Sequence, residues 1–171
     1  NLQDAKIKFA EDYESLKNLV TDTRKPIVFD NPLTIMQVMK LDSDETMGTL
    51  VGWANHPETL WSDNLLITSD FPHYVREGIE NGIYTEDSLI LKGLGGIAIY
   101  VNGAIGGLMT TLPDFQVKDP WSGKVYLKPD FDKAKSQGNQ IAYHSLMALN
   151  RSSDSLSTGN IGLSAKTFLL P

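Results

Sequence analysis

Two apolar runs, Leu33 to Leu41 and Met47 to Ala54, lie on either side of the short polar stretch "DSDET". Runs of this length, rich in valine, isoleucine and threonine and joined by a turn-like link, predict a β-hairpin. The hairpin constrains everything around it, because two half-apolar strands must find further layers to cover them. Its second strand ends in "GWANHPETLW", which carries His56, one of only three histidines in the chain, into a loop. Loops at strand ends are where sites are commonly built, since the sheet holds them still.

The elements around the hairpin follow from periodicity and capping. "AKIKFA" (Ala5 to Ala10) alternates and predicts a strand. Tyr13, Leu16, Leu19 and Val20 have helical spacing and predict a short helix over Asp12 to Val20. "KPIVFDNP", with Pro26 and Pro32, reads as an edge segment or loop. "SDFPHYVREGIENG" predicts a helix capped by Ser69 or Asp70, with Pro72 in its first turn and Gly82 as its stop. Phe71, Val75 and Ile79 form its apolar side. "GLGG" (Gly93 to Gly96) predicts a turn, Ile97 to Val101 a buried strand, and the glycines that follow a tight turn.

Leu112 to Lys128 reads as a long loop. Pro129 opens a final helix to about Leu149, with Phe131, Ala134, Gly138, Ile141, Ser145 and Leu149 on one face. "NRSSDSLSTGN" reads as a polar link and "IGLSAKTFLL" as a last strand. The fold class expected is α/β: a layered domain with a mixed β-sheet flanked by helices. Residues 1–171 form part of one larger domain on this reading. The chain starts at Asn1 with neither a methionine nor a signal peptide, and "KTFLLP" looks interrupted, so a piece of a longer protein is expected.

Composition removes several function classes. The net charge of -6 argues against nucleic-acid binding, which needs a basic face. No apolar run has the length of a membrane helix. With no cysteine there is no disulfide, thiolate metal site or cysteine nucleophile. His56 therefore has three readings from spacing alone: loop filler, hydrogen-bonded support or metal ligand, and no HExxH or HxH pair accompanies it. His73, in a first helical turn, is expected neutral, and His144 is expected at the edge of the core. "VNGAIGGLMT" can form a backbone nest for a phosphate or oxyanion, or it can simply allow tight packing. Asp63, Asn64, Ser69 and Asp70 read first as capping groups. Trp53, Trp61, Tyr74 and Tyr100 read as core and rim aromatics or as pocket walls, and "NRS" at Asn150 matches a glycosylation sequon.

Taken together, "WANHPETLWSDNLLITSDFPHYVREGIE", "GGIAIYVNGAIGGLMT" and "PDFDKAKSQGNQIAYHSLMAL" resemble, in order, the N-terminal catalytic domain of the neutral/alkaline, non-lysosomal ceramidase family. The resemblance covers roughly residues 24–150, a judgement from motif order. It implies a zinc-dependent amidase that cleaves the N-acyl bond of ceramide-like lipids, with His56 as a Zn2+ ligand. A ligand histidine needs its other ring nitrogen fixed, and Asn55 and Glu58 are the neighbours expected to do so. The resemblance implies backbone support for a carbonyl or oxyanion around Gly106 and Gly107.

Three departures stand out. The family's upstream histidine motif is absent, and its glutamate and tyrosine ligands would fall after Pro171. Met109 takes the place of the family's proposed catalytic serine, with the Thr110 hydroxyl one residue later. The resemblance also implies a lipid amide as substrate, association of the parent with a membrane surface, and an extracellular or periplasmic setting. The isolated chain is expected to be inactive. A non-catalytic ceramidase-like domain and a metallohydrolase of another amide or ester are the competing expectations.

Overall fold

The computed structural model describes residues 3–30, 32–86, 88–105, 109–159 and 162–169. In chain order the elements are β1 (Ala5–Asp12), β2 (Thr21–Asp22), β3 (Leu33–Lys40), β4 (Thr46–Trp53), α1 (Phe71–Glu80), β5 (Ile83–Thr85), β6 (Ser88–Leu91), β7 (Ile97–Asn102), β8 (Met109–Thr110), β9 (Val117–Lys118), β10 (Val125–Tyr126), α2 (Phe131–Arg151) and β11 (Ser155–Leu156). The main sheet has the order β11-β1-β3-β4-β7. Its first three pairings are antiparallel, and β4 pairs with β7 in parallel. The mixed α/β class and the β3–β4 hairpin are as the sequence predicts, with a bulge between Val38 and Met39.

A parallel neighbour for β4 requires a crossover, and α1 lies within it. Residues of one register row, Ala10, Ile35, Val51 and Tyr100, share the face that α1 and α2 cover. Phe71 sets its ring edge-on against Trp53 (centroids 6.3 Å) and Tyr100 (5.5 Å), so the first residue of α1 is buried in the sheet. The two helices cross with almost no space between them. A Cβ on Gly138 would stand 2.5 Å from Tyr74 Cβ, and one on Gly78 would stand 2.7 Å from Ala142 Cβ. This close approach explains two mid-helix glycines that propensity alone disfavours.

The outer edge of β7 is blocked by side chains of α1. Glu80 Oε1 accepts the Ala98 N–H at 2.8 Å, and Arg76 Nε donates to the Ala98 carbonyl at 3.1 Å. These bonds occupy backbone groups that would otherwise offer themselves to another strand.

Six sequence expectations need correction. The strand at Ile97, expected to be buried, has Ala98 buried and Tyr100 half-buried on the helix side, while Ile97, Ile99 and Val101 are exposed, because no layer among the described residues covers the other face. The helix over Asp12 to Val20 is a single 3-10 turn, Lys17–Leu19. Asp12, the last residue of β1, accepts from the Glu14 and Ser15 N–H groups and closes a tight turn instead. The loop from Leu112 to Lys128 contains the β9–β10 ribbon, whose turn is organised by Asp119 accepting from Trp121, Ser122 and Ser136. These bonds hold the Asp119 carboxyl below its ordinary range despite burial, which opposes them. The last helix starts at Phe131, with Asp130 as its cap, and Phe131 is itself exposed. The polar link after it supplies β11, a short edge strand on β1. Residues 162–169 of the expected last strand form no strand, because no partner lies beside them among the described residues; 160, 161, 170 and 171 lie outside that description.

Candidate functional site

The site lies at the carboxyl ends of the two parallel strands, a common location for ligands in α/β sheets. β4 runs into Asn55 and His56, and β7 runs into Gly103, Ala104 and Ile105. The two exits are tied together: Gly103 N–H and the Tyr100 hydroxyl both donate to the Trp53 carbonyl, at 3.1 and 2.8 Å. His56 N–H donates to the Met109 carbonyl at 2.9 Å, bringing β8 alongside.

The His56 ring is a quarter exposed. Its Nε2 lies 3.1 Å from the Ile105 carbonyl oxygen. A carbonyl only accepts, so Nε2 carries the proton. In the neutral ring Nδ1 then holds a free lone pair, and it faces Glu58 Oε1 at 3.7 Å. That distance is too long for a hydrogen bond. The other Glu58 oxygen, Oε2, accepts from the Thr110 hydroxyl at 3.0 Å. His56, Glu58 and Thr110 thus form a continuous polar set, and Thr110 is buried within it.

Beneath this set is a second, buried one. Gln137 of α2 accepts from Thr59 at 2.5 Å and donates to Thr111 at 2.8 Å. Asn55 Nδ2 donates to Thr111 Oγ1 at 3.0 Å, and Thr111 donates to the Leu19 carbonyl at 2.9 Å. Asn55 Oδ1 has no partner among the described residues. Asn55 therefore anchors the loop, and among the described residues no hydrogen bond joins it to the His56 ring.

Asp70 fixes the far side of the same loop. Its carboxylate accepts from the Leu60 N–H at 2.8 Å and the Phe71 N–H at 2.6 Å, so one side chain caps α1 and fastens the loop before it. Asp70, not Ser69, is the cap, and its φ of 57° with ψ of -147° is a backbone conformation that favours glycine. Asn64 holds a turn through paired bonds with Leu66. A cleft of about 460 Å³ opens beside Glu58, walled by Leu60, Trp61, Asn64 and Asp70.

Gly106 and Gly107, the expected carbonyl supports, lie outside the described residues, as does Leu108. The described start of that turn is already engaged: Ala104 N–H donates to Asp30 Oδ2 at 2.9 Å, and Gly103 N–H is bonded to Trp53. Met109 is buried and accepts from the Asp30 N–H at its sulfur, 3.4 Å. His73 packs edge-on against Tyr74 and takes no part in the site. His144 sits at the edge of the core, where burial lowers its pKa. Sequence reasoning missed the Glu58–Thr110 bond, which joins residues 52 positions apart and leaves no spacing signal.

A zinc ion would find two donors here. Nitrogen and oxygen ligands at about 2.1 Å on a tetrahedral ion stand about 3.4 Å apart, close to the 3.7 Å between His56 Nδ1 and Glu58 Oε1. The donor types and their facing geometry fit two corners of such a site. Among the described residues no group of three or more His, Cys, Asp or Glu side chains could hold a metal ion.

No family model and no curated protein sequence matches the chain. Among solved structures it is similar to neutral ceramidase from Pseudomonas aeruginosa, with a TM-score of 0.67 at 14% identity, over 91% of this chain and 24% of that one. It is also similar to a ceramidase complexed with C2, with a TM-score of 0.66 at 13% identity and the same coverage. The fold is therefore ceramidase-like, and the chain spans about a quarter of the length of these structures. No helix among the described residues is long and apolar enough to cross a membrane.

Proposed function

We propose that this chain is the histidine-bearing part of a ceramidase-like, zinc-dependent amide hydrolase. The observation that carries the reading is His56 Nδ1 facing the Glu58 carboxylate at 3.7 Å at the ends of the two parallel strands, with Nε2 held by the Ile105 carbonyl. The likeness in fold to neutral ceramidases supports the choice of reaction class.

In this reading His56 and Glu58 would hold the ion between them. Bound zinc supplies Lewis-acid polarisation of an amide carbonyl or a more acidic bound water. The remaining roles belong to the chain's own groups. The Ile105 carbonyl fixes the ring tautomer and so aims Nδ1 at Glu58. The Thr110 hydroxyl holds Oε2 and leaves Oε1 free to turn toward the ion. Its burial suits positioning better than attack on a substrate. Backbone N–H groups of Gly106 and Gly107 would support the carbonyl or oxyanion. The cleft beside Glu58 would admit the amide, with a lipid amide as substrate, a membrane surface as its source and an extracellular or periplasmic setting for the parent.

Two donors do not complete a catalytic zinc site, so the 171 residues alone should bind zinc weakly and turn over nothing. A second reading, a ceramidase-like domain kept for binding or architecture, is favoured by Met109, which fills the serine position with a core side chain. A hydrolase of another amide or ester shares the first reading's metal. Zinc titration by calorimetry separates metal-holding from architectural roles: binding should be measurable and lost in His56→Ala and Glu58→Gln. Binding that both variants retain, or none in the parent sequence, removes the metallohydrolase reading. Hydrolysis of an N-acyl sphingoid amide by these residues alone would refute the view that the site is incomplete.

A further inference from the structure

The face of the main sheet turned away from the helices is apolar, with Phe9 and Ile99 exposed and Met36 and Leu50 half-buried between them. Phe9, Met36, Leu50 and Ile99 stand in one register row across β1, β3, β4 and β7. Ile97 and Val101 flank Ile99 on the same side, and these three are 68, 45 and 54% exposed for Ile97, Val101 and Ile99. By strand alternation, charged residues on this face occur only at its corners, at Glu11 and Lys40. A solvent-facing sheet normally alternates apolar with polar. A contiguous apolar face of this kind marks a surface that something covers. The partner cannot simply add a strand beside Ala98, because Glu80 and Arg76 occupy those backbone groups. It must lie on the face.

A second orphaned apolar surface belongs to the same chain. Residues 162–169, "GLSAKTFL", form no element, and Leu163, Phe168 and Leu169 are 96, 75 and 94% exposed. Leu163, Ala165, Thr167 and Leu169 fall on one side of an extended segment, with Lys166 on the other. The segment leaves from β11, which is the edge strand of this very sheet. Five residues lie between Leu156 and Gly162, so six Cα steps span at most about 20 Å. Three strand spacings from β11 to β4 come to about 14 Å. The segment therefore reaches the middle of that face.

We propose that residues 162–169 close over this face as a strap, laying the Leu163–Leu169 side on the Phe9–Met36–Leu50–Ile99 row and leaving Lys166 in solvent. Flatness and lack of charge on the face suit an extended apolar segment, and the connection makes the encounter intramolecular. This inference is independent of the zinc reading.

The absence of cysteine makes the test direct. Leu163→Cys is combined in turn with Met36→Cys and with Ile99→Cys, the proteins are oxidised, and products are separated without reductant. At least one pair should form an intramolecular disulfide in most of the protein, while the single variants do not. Only intermolecular products would make a second copy the occupant and overturn the proposal, as would no cross-link in either pair. Deleting residues 160–171 provides a readout that does not depend on new cysteines. Binding of the dye ANS should rise severalfold with the helical circular dichroism unchanged, and an unchanged ANS signal would also overturn it.

Discussion

Three neighbouring pairs build the floor of the site: Asn55–His56, Glu58–Thr59 and Thr110–Thr111. In each pair one side chain joins the Gln137 network and the other joins the His56–Glu58–Thr110 set, of which Glu58 lines the cleft. Asn55, Thr59 and Thr111 converge with Gln137 and are sealed from solvent. His56, Glu58 and Thr110 form a second set, and in it His56 Nδ1 and Glu58 Oε1 face each other at 3.7 Å, too far apart for a hydrogen bond. Polar residues one position apart thus do opposite work. The buried members convert loop backbone into a fixed platform. The members of the second set keep unspent donor capacity, which is what a ligand needs.

Breaking the buried side should cost stability first. Lys133 is the extreme case: fully buried, its ammonium donates to the carbonyls of Leu112, Pro113 and Leu127 at 3.0 to 3.2 Å. Burial lowers its pKa, and the nearby carboxylates of Asp114 and Asp130 oppose that shift. Lys133→Met leaves three acceptors without a donor and should destabilise by about 3 kcal/mol or more in urea unfolding. Gln137→Leu strands the Thr59 hydroxyl and removes one of the bonds to Thr111, which keeps Asn55 and the Leu19 carbonyl, and should cost about 2 kcal/mol.

Asp70→Ala removes the cap of α1 and the Leu60 anchor together, for about 1–2 kcal/mol. Asp70→Gly should recover part of that, because glycine takes a φ of 57° without strain. In the second set, His56→Ala and Glu58→Gln should shift stability by less than about 1 kcal/mol while removing zinc binding. A large loss of stability in either variant would erase the distinction between the two sets.

The smallest effect is a pH dependence. Burial is the main cause that lowers the His144 pKa; Arg151 adds to it and Asp12 opposes it. The folded state therefore binds the proton less readily than the unfolded one. The stability contribution is full above the ordinary histidine value and is lost as pH falls below it toward the lowered value. Urea midpoints should fall between pH 7.5 and 5.5, about the range where an unperturbed histidine titrates. His144→Leu should flatten that slope.

Much of the frame was legible in the sequence because it is local. The hairpin, α1 with its Asp70–Phe71–Pro72 start and the strand at Ile97 each follow from patterns within a dozen residues. What was not legible is set by distance along the chain. The 3-10 turn at Lys17 depends on Asp12 closing its own loop, and the Asp119 ribbon is tied to Ser136 of α2. Gly138 is explained only once Tyr74 is seen against it. In the site, His56 could be named from its place after a strand. Its tautomer could not, because the carbonyl that sets it belongs to Ile105, 49 positions away.

Long-range nitrogen–proton NMR of the His56 ring, recorded with and without zinc chloride, tests the central claim most directly. At a pH where the ring is neutral, its proton should sit on Nε2, and zinc should shift Nδ1 alone, an effect lost in Glu58→Gln. A ring protonated at Nδ1, or one that zinc leaves unmoved, would contradict it.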